Sequence, residues 1–358
     1  MLIGRSPVRI SFAGGGTDLP AYYEEFGGAV LSAAINKYFY TILGKRADGR
    51  VQVISSDLRV FETWQDIAAM KLDGSGLEIP LAVLKDLSSD VSVDLFLASE
   101  IPPGTGLGSS ASVCVGILKT LTTYLDQPLS PYDLADRAFH ITRDALKRHV
   151  GRQDEYACAF GGLNFITFAR DGSTRVEPLK LERGLIKDLQ NNLMLFFTGS
   201  ARDSRTILEE QEKSTLARKG AALESLHKVR TLADRMREAL EHGDLSGFGV
   251  LLNEAWMAKK KISDKISNSR IDHLYELALR QGALGGKITG AGGGGFLLLC
   301  CELDRQSAVR SALVGEGLQE MAFAFEPHGA QVIVNDPFID SDERTGSRWM
   351  FVPGSSSF

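Results

Sequence analysis

Residues 102–112, Pro-Pro-Gly-Thr-Gly-Leu-Gly-Ser-Ser-Ala-Ser, are the most informative segment of this chain. It follows an alternating apolar run at 91–98, which predicts a strand, and it precedes residues 113–125, which predict a helix. A glycine-rich loop that opens a helix can direct several backbone N–H groups at a phosphate, and the helix dipole favours the negative charge. Glycine suits this task because a Cβ would block the close approach. A flexible turn is the plainer interpretation of one such loop, but the chain carries two more.

The other two glycine-rich loops lie near the two ends of the chain. Residues 13–20, Ala-Gly-Gly-Gly-Thr-Asp-Leu-Pro, follow a predicted strand at 8–12. Their carboxylate, Asp18, either accepts hydrogen bonds from sugar hydroxyls or caps the next helix. Residues 285–295 include four consecutive glycines ahead of an apolar strand. The conformational entropy that those glycines cost favours a loop that wraps a ligand or lets two backbones pass closely.

Composition places the chain among globular proteins and excludes several classes of function. Its 358 residues are 44% hydrophobic and 24% charged, which suits one large or two medium domains. The formal net charge of −5 argues against a general nucleic-acid binder. The longest strongly apolar run, 296–301, is far shorter than the roughly 20 residues that span a bilayer, and the N-terminus lacks the apolar core of a signal peptide. We therefore expect a cytoplasmic protein with neither nucleic acid nor membrane as a partner.

The cysteines and histidines show no metal-binding pattern. The cysteines stand in apolar surroundings without a C-x-x-C pair, and the six histidines are scattered. We expect buried thiols and no zinc site. The cysteines are Cys114, Cys158, Cys300 and Cys301.

Strands and helices alternate in the first half of the chain, whereas the second half is more helical. In the first half, the pattern predicts two strands at 30–35 and 39–43. It also predicts a helix from 131 to about 149, opened by Ser130 as the cap with proline at the first helical position.

We expect a domain boundary near 180–190, which divides the chain into domains 1–185 and 186–340 and a tail at 341–358.

Two standard nucleotide motifs do not fit residues 104–111. They lack the G-K-[ST] ending of a Walker A loop and the G-x-G-x-x-G spacing of a dinucleotide-binding turn.

Taken in order, the three loops resemble the signature motifs of the GHMP kinases, named for galactokinase, homoserine kinase, mevalonate kinase and phosphomevalonate kinase. The motifs run from 7 to 18, from 102 to 111 and from 287 to 295. The resemblance implies a two-domain α/β (α+β) fold, with a ribosomal-S5-like N-terminal domain and a ferredoxin-like C-terminal domain. It also implies transfer of a phosphoryl group from ATP to a hydroxyl, with Mg²⁺ as the second cofactor.

A further block, Gly-Arg-Gln-Asp-Glu-Tyr-Ala-Cys-Ala-Phe-Gly-Gly at 151–162, resembles that of the family's D-glycero-D-manno-heptose 7-phosphate kinases. Galactokinases carry Glu and His where this chain has Gly15 and Gly16. The resemblance thus implies phosphorylation of the anomeric hydroxyl of this sugar phosphate, in the synthesis of nucleotide-activated heptose for surface polysaccharide. A kinase for another sugar, such as fucose or galactose, a sugar-sensing regulator without catalysis, and a homodimer remain open.

The resemblance also implies roles for single residues. Asp154 would accept the proton of the attacking hydroxyl or orient it, and Arg9 would stabilise charge on the transferred group. A helix cap for Asp154 and a salt bridge at a strand edge for Arg9 are the structural alternatives. ATP would contact a set in the second loop: Pro103, Gly104, Gly106, Leu107, Gly108, Ser109, Ser110 and Ala111. The sugar would contact residues of the first and third loops and one arginine: Gly15, Gly16, Thr17, Asp18, Gly292, Gly293 and Arg202.

The magnesium ligands depart from the family pattern. Ser110 would reach Mg²⁺, because a hydroxyl is a suitable hard oxygen ligand. Many family members supply a second ligand, a glutamate, on the helix before the catalytic aspartate, where this chain has Thr142. Either Thr142 binds through water, or Asp144 takes over by a local shift.

A phosphorylated sugar needs cations nearby, whereas an unphosphorylated one does not. Arg202 and Arg205 lie where a helix is predicted to begin, and the lysines at 259–261 end another helix. Arginine suits phosphate through its bidentate fork. A solvated helix face explains the lysines equally well.

Overall fold

The computed structural model describes residues 1–72, 76–87, 91–199, 205–217 and 220–336. The strands in these ranges are β1 (Leu2–Ala13), β2 (Gly28–Lys45), β3 (Val51–Ser55), β4 (Val60–Trp64), β5 (Val93–Ser99), β6 (Leu163–Phe168), β7 (Thr174–Pro178), β8 (Leu193–Phe197), β9 (Gly285–Ile288), β10 (Phe296–Cys300), β11 (Gln319–Glu320) and β12 (Gln331–Asn335). The helices are α1 (Pro20–Phe26), α2 (Glu78–Leu87), α3 (Ser109–Tyr124), α4 (Pro131–His140), α5 (Gln153–Phe160), α6 (Arg183–Asn191), α7 (Arg205–Leu216), α8 (Gly220–Glu241), α9 (Leu245–Lys260), α10 (Ser269–Arg280) and α11 (Leu303–Gly315). A π-helical turn, Ile141–Ala145, follows α4.

Two sheets organise the fold. The larger has the order β12-β1-β2-β5-β3-β4, and β6 and β7 continue it beside the first half of β2. The length of β2 makes this possible, because its residues 28–33 pair with β6 whereas its residues 39–45 pair with β5. The smaller sheet, β11-β8-β10-β9, is antiparallel. This mixed α/β architecture confirms the predicted fold class.

The helix α3 forms the centre of the N-terminal core. Its residue Gly116 lies against Ser6 and Phe39, which brings the helix close to β1 and β2. The hydroxyl of Ser112 donates to the carbonyl of Ser6 at 2.9 Å. The helix begins after Gly108, whose φ of +78° is the left-handed conformation that favours glycine. These contacts fix the N-terminus of α3, and with it the second loop.

The end of the described chain returns from the smaller sheet to the larger one. Residue Gly162 donates its N–H to the carbonyl of Glu326 at 2.7 Å, and β12 pairs with β1. The expected boundary at 185 falls within α6, just before the first strand of the smaller sheet. Within the described residues, the chain therefore crosses twice between the two sheets.

Three clusters of buried apolar side chains form the core of the described chain. All four cysteines are buried free thiols, as the sequence predicts. Among the helices that the structure describes, none has the length and apolar character needed to cross a membrane.

The returning segment generates a stability prediction at Gly161. This glycine has φ +67°, and a Cβ there would lie 2.1 Å from the carbonyl carbon of His328. We expect Gly161→Ala to lower the free energy of unfolding by about 2 to 4 kcal/mol, because left-handed strain and main-chain overlap add. The control is Gly184→Ala in α6, where a Cβ meets open space and helix propensity rises by up to about 1 kcal/mol. Equal urea midpoints for Gly161→Ala and wild type would contradict this packing.

Candidate active site

The three glycine-rich loops meet at one cavity of about 500 Å³. We call residues 13–20 the first loop, 102–112 the second loop and 285–295 the third loop. Residues of α5, α7 and α9 complete the wall of the cavity. The cavity therefore draws on segments far apart in sequence.

The second and third loops touch through their backbones. A Cβ on Gly106 would lie 2.4 Å from the carbonyl oxygen of Thr289, and one on Gly295 would lie 2.2 Å from that of Thr105. Both glycines also have positive φ, +82° and +94°. Only glycine permits this approach, so the expectation that two backbones pass closely here is confirmed.

Arg9 and Asp154 form a bidentate ion pair at the centre of the site. The Arg9 Nε and Nη2 atoms donate to the two carboxylate oxygens at 2.7 and 2.5 Å. The Nη1 atom donates to the carbonyl of Gly106 at 2.7 Å. Arg9 is buried whereas the Asp154 side chain remains 28% exposed, so the carboxylate opens onto the cavity. One guanidinium thus joins β1, the second loop and α5.

Asp18 ties the first loop to α5 rather than to the helix that follows it in sequence. Its carboxylate accepts the N–H of Gly16 at 2.8 Å and that of Gln153, the first residue of α5, at 3.3 Å. Burial, followed by the charge of Asp154, raises the pKa of Asp18. Gly151 is necessary here, because a Cβ would lie 1.9 Å from the Asp18 carboxylate.

Two buried lysines from the C-terminal half of the chain lie near the acidic residues Asp18 and Asp154. Lys259, 5% exposed, donates from its Nζ to the carbonyl of Gly290 and lines the cavity. Burial lowers its pKa to about 8, although Asp18 opposes the shift. Lys287 donates to the carbonyl of Ser11 at 2.8 Å, and burial and the Lys259 charge lower its pKa. The neighbouring lysines of the run at 259–261 therefore have different environments. Lys259 lines the cavity, whereas Lys260 forms an ion pair with an aspartate of α10.

A second carboxylate, Glu155, is buried beside Asp154. Its Oε1 lies 3.1 Å from the hydroxyl of Thr142, which is also 3.0 Å from two backbone carbonyls of α4. Burial, followed by the charge of Asp154, raises the pKa of Glu155 to about 8. Asp144 instead lies on the outer surface, with its carboxylate 2.7 Å from His140 Nδ1.

Most residues that the resemblance singles out line the cavity. These are Arg9, Gly15, Gly16, Asp18, Pro103, Gly104, Gly106, Gly108, Ser109, Ser110, Ala111, Thr142, Asp154 and Gly292. Sequence reasoning assigned no role to several other polar residues that line the cavity, although two of them, Gln153 and Glu155, lie in the block at 151–162. These polar residues include Arg148, His149, Gln153, Glu155 and Gln211.

Three residues that the resemblance assigns to ligand binding form hydrogen bonds within the protein. The Thr17 hydroxyl bonds to two backbone carbonyls and closes the first loop onto β2. Leu107 is fully buried, and its carbonyl accepts an N–H from β1. The Gly293 N–H donates to the segment before α10 at 2.7 Å. Arg202 and the side chain of Arg205 lie outside what the structure describes.

Several buried polar atoms around the cavity have no hydrogen-bond partner in the described part of the chain. They are Ser11 Oγ, Ser109 Oγ, Gln153 Oε1, Glu155 Oε2 and Gln211 Nε2. Native proteins leave few buried polar atoms unpaired, so such a group around one cavity indicates a polar ligand.

The chain matches known families and proteins along nearly its whole length. Residues 78–162 match the GHMP kinases N terminal domain, and residues 236–318 match the GHMP kinases C terminal domain. A D-glycero-alpha-D-manno-heptose 7-phosphate kinase of Campylobacter jejuni is 32% identical over 332 residues, which cover 91% of this chain and 97% of that protein.

Solved structures agree with this match. A D-glycero-D-manno-heptose 1-phosphate kinase from Bacteroides thetaiotaomicron superposes with a TM-score of 0.78 at 28% identity, covering 94% of this chain and 100% of that one. A putative sugar kinase from Campylobacter jejuni gives 0.76 at 31% identity, covering 92% and 97%. Fold and site thus define an ATP-dependent small-molecule kinase. The chain belongs to the GHMP kinase family.

The buried ammonium of Lys259 generates a prediction about stability against pH. With a pKa of about 8 in the folded state and an ordinary value of 10.5, the lysine releases its proton earlier when folded. Its contribution therefore makes the protein more stable as pH rises from 8 to 10.5. We expect Lys259→Met to raise the free energy of unfolding at pH 7 by up to about 3 kcal/mol, and to flatten this rise.

The control for this prediction is Lys260→Met, at a partly exposed lysine that pairs with Asp272. Urea unfolding of both variants and wild type at pH 7 and 9.5 supplies the comparison. The prediction would be contradicted if the free energy of unfolding changed between pH 7 and 9.5 by the same amount in Lys259→Met as in wild type. That result would show that Lys259 keeps its charge in the folded protein over this range.

Proposed function

We propose that this protein transfers the γ-phosphoryl group of ATP to the anomeric hydroxyl of D-glycero-D-manno-heptose 7-phosphate, giving ADP and the 1,7-bisphosphate. The observation that carries the proposal is the bidentate Arg9–Asp154 pair at the meeting point of the three loops. The name of the Campylobacter relative supports the choice of sugar. The product would supply the synthesis of nucleotide-activated heptose for surface polysaccharide.

The second loop and the start of α3 would bind the triphosphate. The N–H groups of Ser109, Ser110 and Ala111 precede the first intrahelical bond, which Ser112 makes to Gly108. Such N–H groups lack helical partners, and the helix dipole adds positive potential. These residues, with Pro103, Gly104, Gly106 and Gly108 along the same wall, would hold ATP.

The donor set of this wall suits Mg²⁺. It offers hydroxyl and carboxylate oxygens, and in the described ranges no three His, Cys, Asp or Glu side chains form a ready-made metal centre. Mg²⁺ binds in this way in kinases, through one or two protein oxygens together with phosphates and waters. Ser110 would contribute its hydroxyl, and the ion, when bound with ATP, would neutralise charge on the β- and γ-phosphates.

Asp154 would act on the acceptor hydroxyl. The exposed part of its carboxylate would take the proton of the sugar hydroxyl as the new O–P bond forms and the bond to ADP breaks. Arg9 uses three of its five N–H groups on Asp154 and Gly106, and the other two would stabilise the transferred phosphoryl group.

The sugar would lie between the first loop and α7. Asp18, Gly15 and Gly16 line this side, and Gln153 and Gln211 have unpartnered polar atoms suited to a polyol. A distal phosphate would be held by basic side chains that line the cavity, namely Arg148, His149 and Lys259. A regulator that only senses a sugar would not need an acidic group opposite a phosphate-binding helix.

The test is ADP release with Mg-ATP across free and phosphorylated hexoses and heptoses. We expect turnover with heptose 7-phosphate, and a loss of about 10² to 10⁴ in kcat for Asp154→Asn, because the amide accepts no proton. The matched control is Asp234→Asn, which removes the partner of Arg230 on the surface of α8.

Each outcome of this panel assigns a function. Turnover with a free hexose alone would keep the kinase and overturn the heptose phosphate. Undiminished turnover in Asp154→Asn would overturn the role of the carboxylate. Nucleotide binding without turnover on any sugar would favour the sensing regulator.

A further inference from the structure

Glu155 is a buried carboxylate that has a hydrogen-bond partner on one of its two oxygen atoms in the described structure. The residue is 2% exposed and its Oε1 atom is held by the Thr142 hydroxyl at 3.1 Å. Its Oε2 atom has no partner among the residues that the structure describes. A buried carboxylate oxygen without a donor or cation is costly, so this one requires an explanation.

The surroundings of Glu155 are rich in negative charge. Asp154 and Asp18 both act on it electrostatically. The guanidinium of Arg9 is committed to Asp154, and the Lys259 ammonium donates to the third loop. Neither of these two cations therefore bonds to Glu155, which lines the same cavity as Ser110.

We propose that Glu155 is the carboxylate ligand of the divalent cation that accompanies the nucleotide, acting with Ser110. The inference rests on the proposed function. It assigns the carboxylate to α5 rather than to Thr142 or Asp144. The Thr142 hydroxyl is already shared between two carbonyls and Glu155, so it orients the ligand, and Asp144 lies outside the cavity.

A carboxylate in this position suits Mg²⁺ on chemical grounds. The ion prefers hard oxygen ligands and usually takes one or two carboxylates along with phosphate oxygens. The Oε2 atom of Glu155 is the carboxylate oxygen of this wall that remains unbonded in the described structure. Desolvation of the site makes the attraction between this oxygen and a cation stronger than in water.

The rival explanation is that Glu155 is a neutral, protonated acid with a purely structural role. Glutamine has the shape of a protonated glutamate, so Glu155→Gln separates the two explanations. The full-length variant would be titrated with Mn²⁺ in the presence of a non-hydrolysable ATP analogue, with bound Mn²⁺ followed by electron paramagnetic resonance. We expect Mn²⁺ affinity to fall at least tenfold, while affinity for the metal-free analogue stays within about twofold of wild type.

The matched control is Glu276→Gln, an exposed glutamate of α10, which should bind Mn²⁺ as wild type does. Unchanged Mn²⁺ affinity in Glu155→Gln would overturn the inference. If the variant does not fold, wild-type crystals with Mn²⁺ and the analogue decide. An anomalous peak at bonding distance from Glu155 supports the assignment, and a peak elsewhere in the cavity overturns it.

Failure of this inference is distinguishable from failure of the proposed function. Wild-type turnover on heptose 7-phosphate, measured separately, tests the function alone. A wild type that phosphorylates the sugar, combined with a Glu155→Gln protein that binds Mn²⁺ normally, would leave the kinase intact and remove only Glu155 from its metal site.

Discussion

The Arg9–Asp154 ion pair is the interaction on which the site depends. It connects β1, the second loop and α5, because the same guanidinium bonds both carboxylate oxygens and the carbonyl of Gly106. A bidentate pair fixes orientation as well as distance. It is also largely buried on the arginine side, so its breakage would leave an unpaired charge. Arg9 therefore fixes the position of the Asp154 carboxylate and also balances its negative charge.

Glycine supplies the second constraint, because the second and third loops come from different halves of the chain and meet backbone to backbone. Gly106 and Gly295 permit contacts that a Cβ would block. Lys287 ties the third loop to the end of β1 as well, through a hydrogen bond to the carbonyl of Ser11. Arg9 from the N-terminal half and Lys259 from the C-terminal half both line the cavity that Asp18 and Asp154 line, so the cavity needs both halves of the described chain.

The sequence predicted the local parts of this arrangement better than the distant ones. The loop before α3 and the cap of α4 follow from local patterns, and both were found. Two predicted strands proved to be one, β2, because residues 36–38 continue the strand through a shift in its pairing with β1. The helix expected to reach 149 ends at His140 and continues as a π-helical turn.

The site residues also fall into two groups, those found from local motifs and those placed by tertiary packing. Arg9, Asp154 and the glycines could be named because they belong to motifs, whereas Gln211 enters the cavity through tertiary packing that no local pattern encodes. Lys259 could not be told from its neighbours, since only the packing of α9 decides which lysine is buried.

The most direct test of the central claim is a double-mutant cycle on single-turnover phosphoryl transfer, using Arg9→Met, Asp154→Asn and the variant with both changes. If the pair acts as one unit, the double variant is slowed about as much as the slower single variant. Losses that multiply, or an Arg9→Met protein with the wild-type rate, would contradict the account.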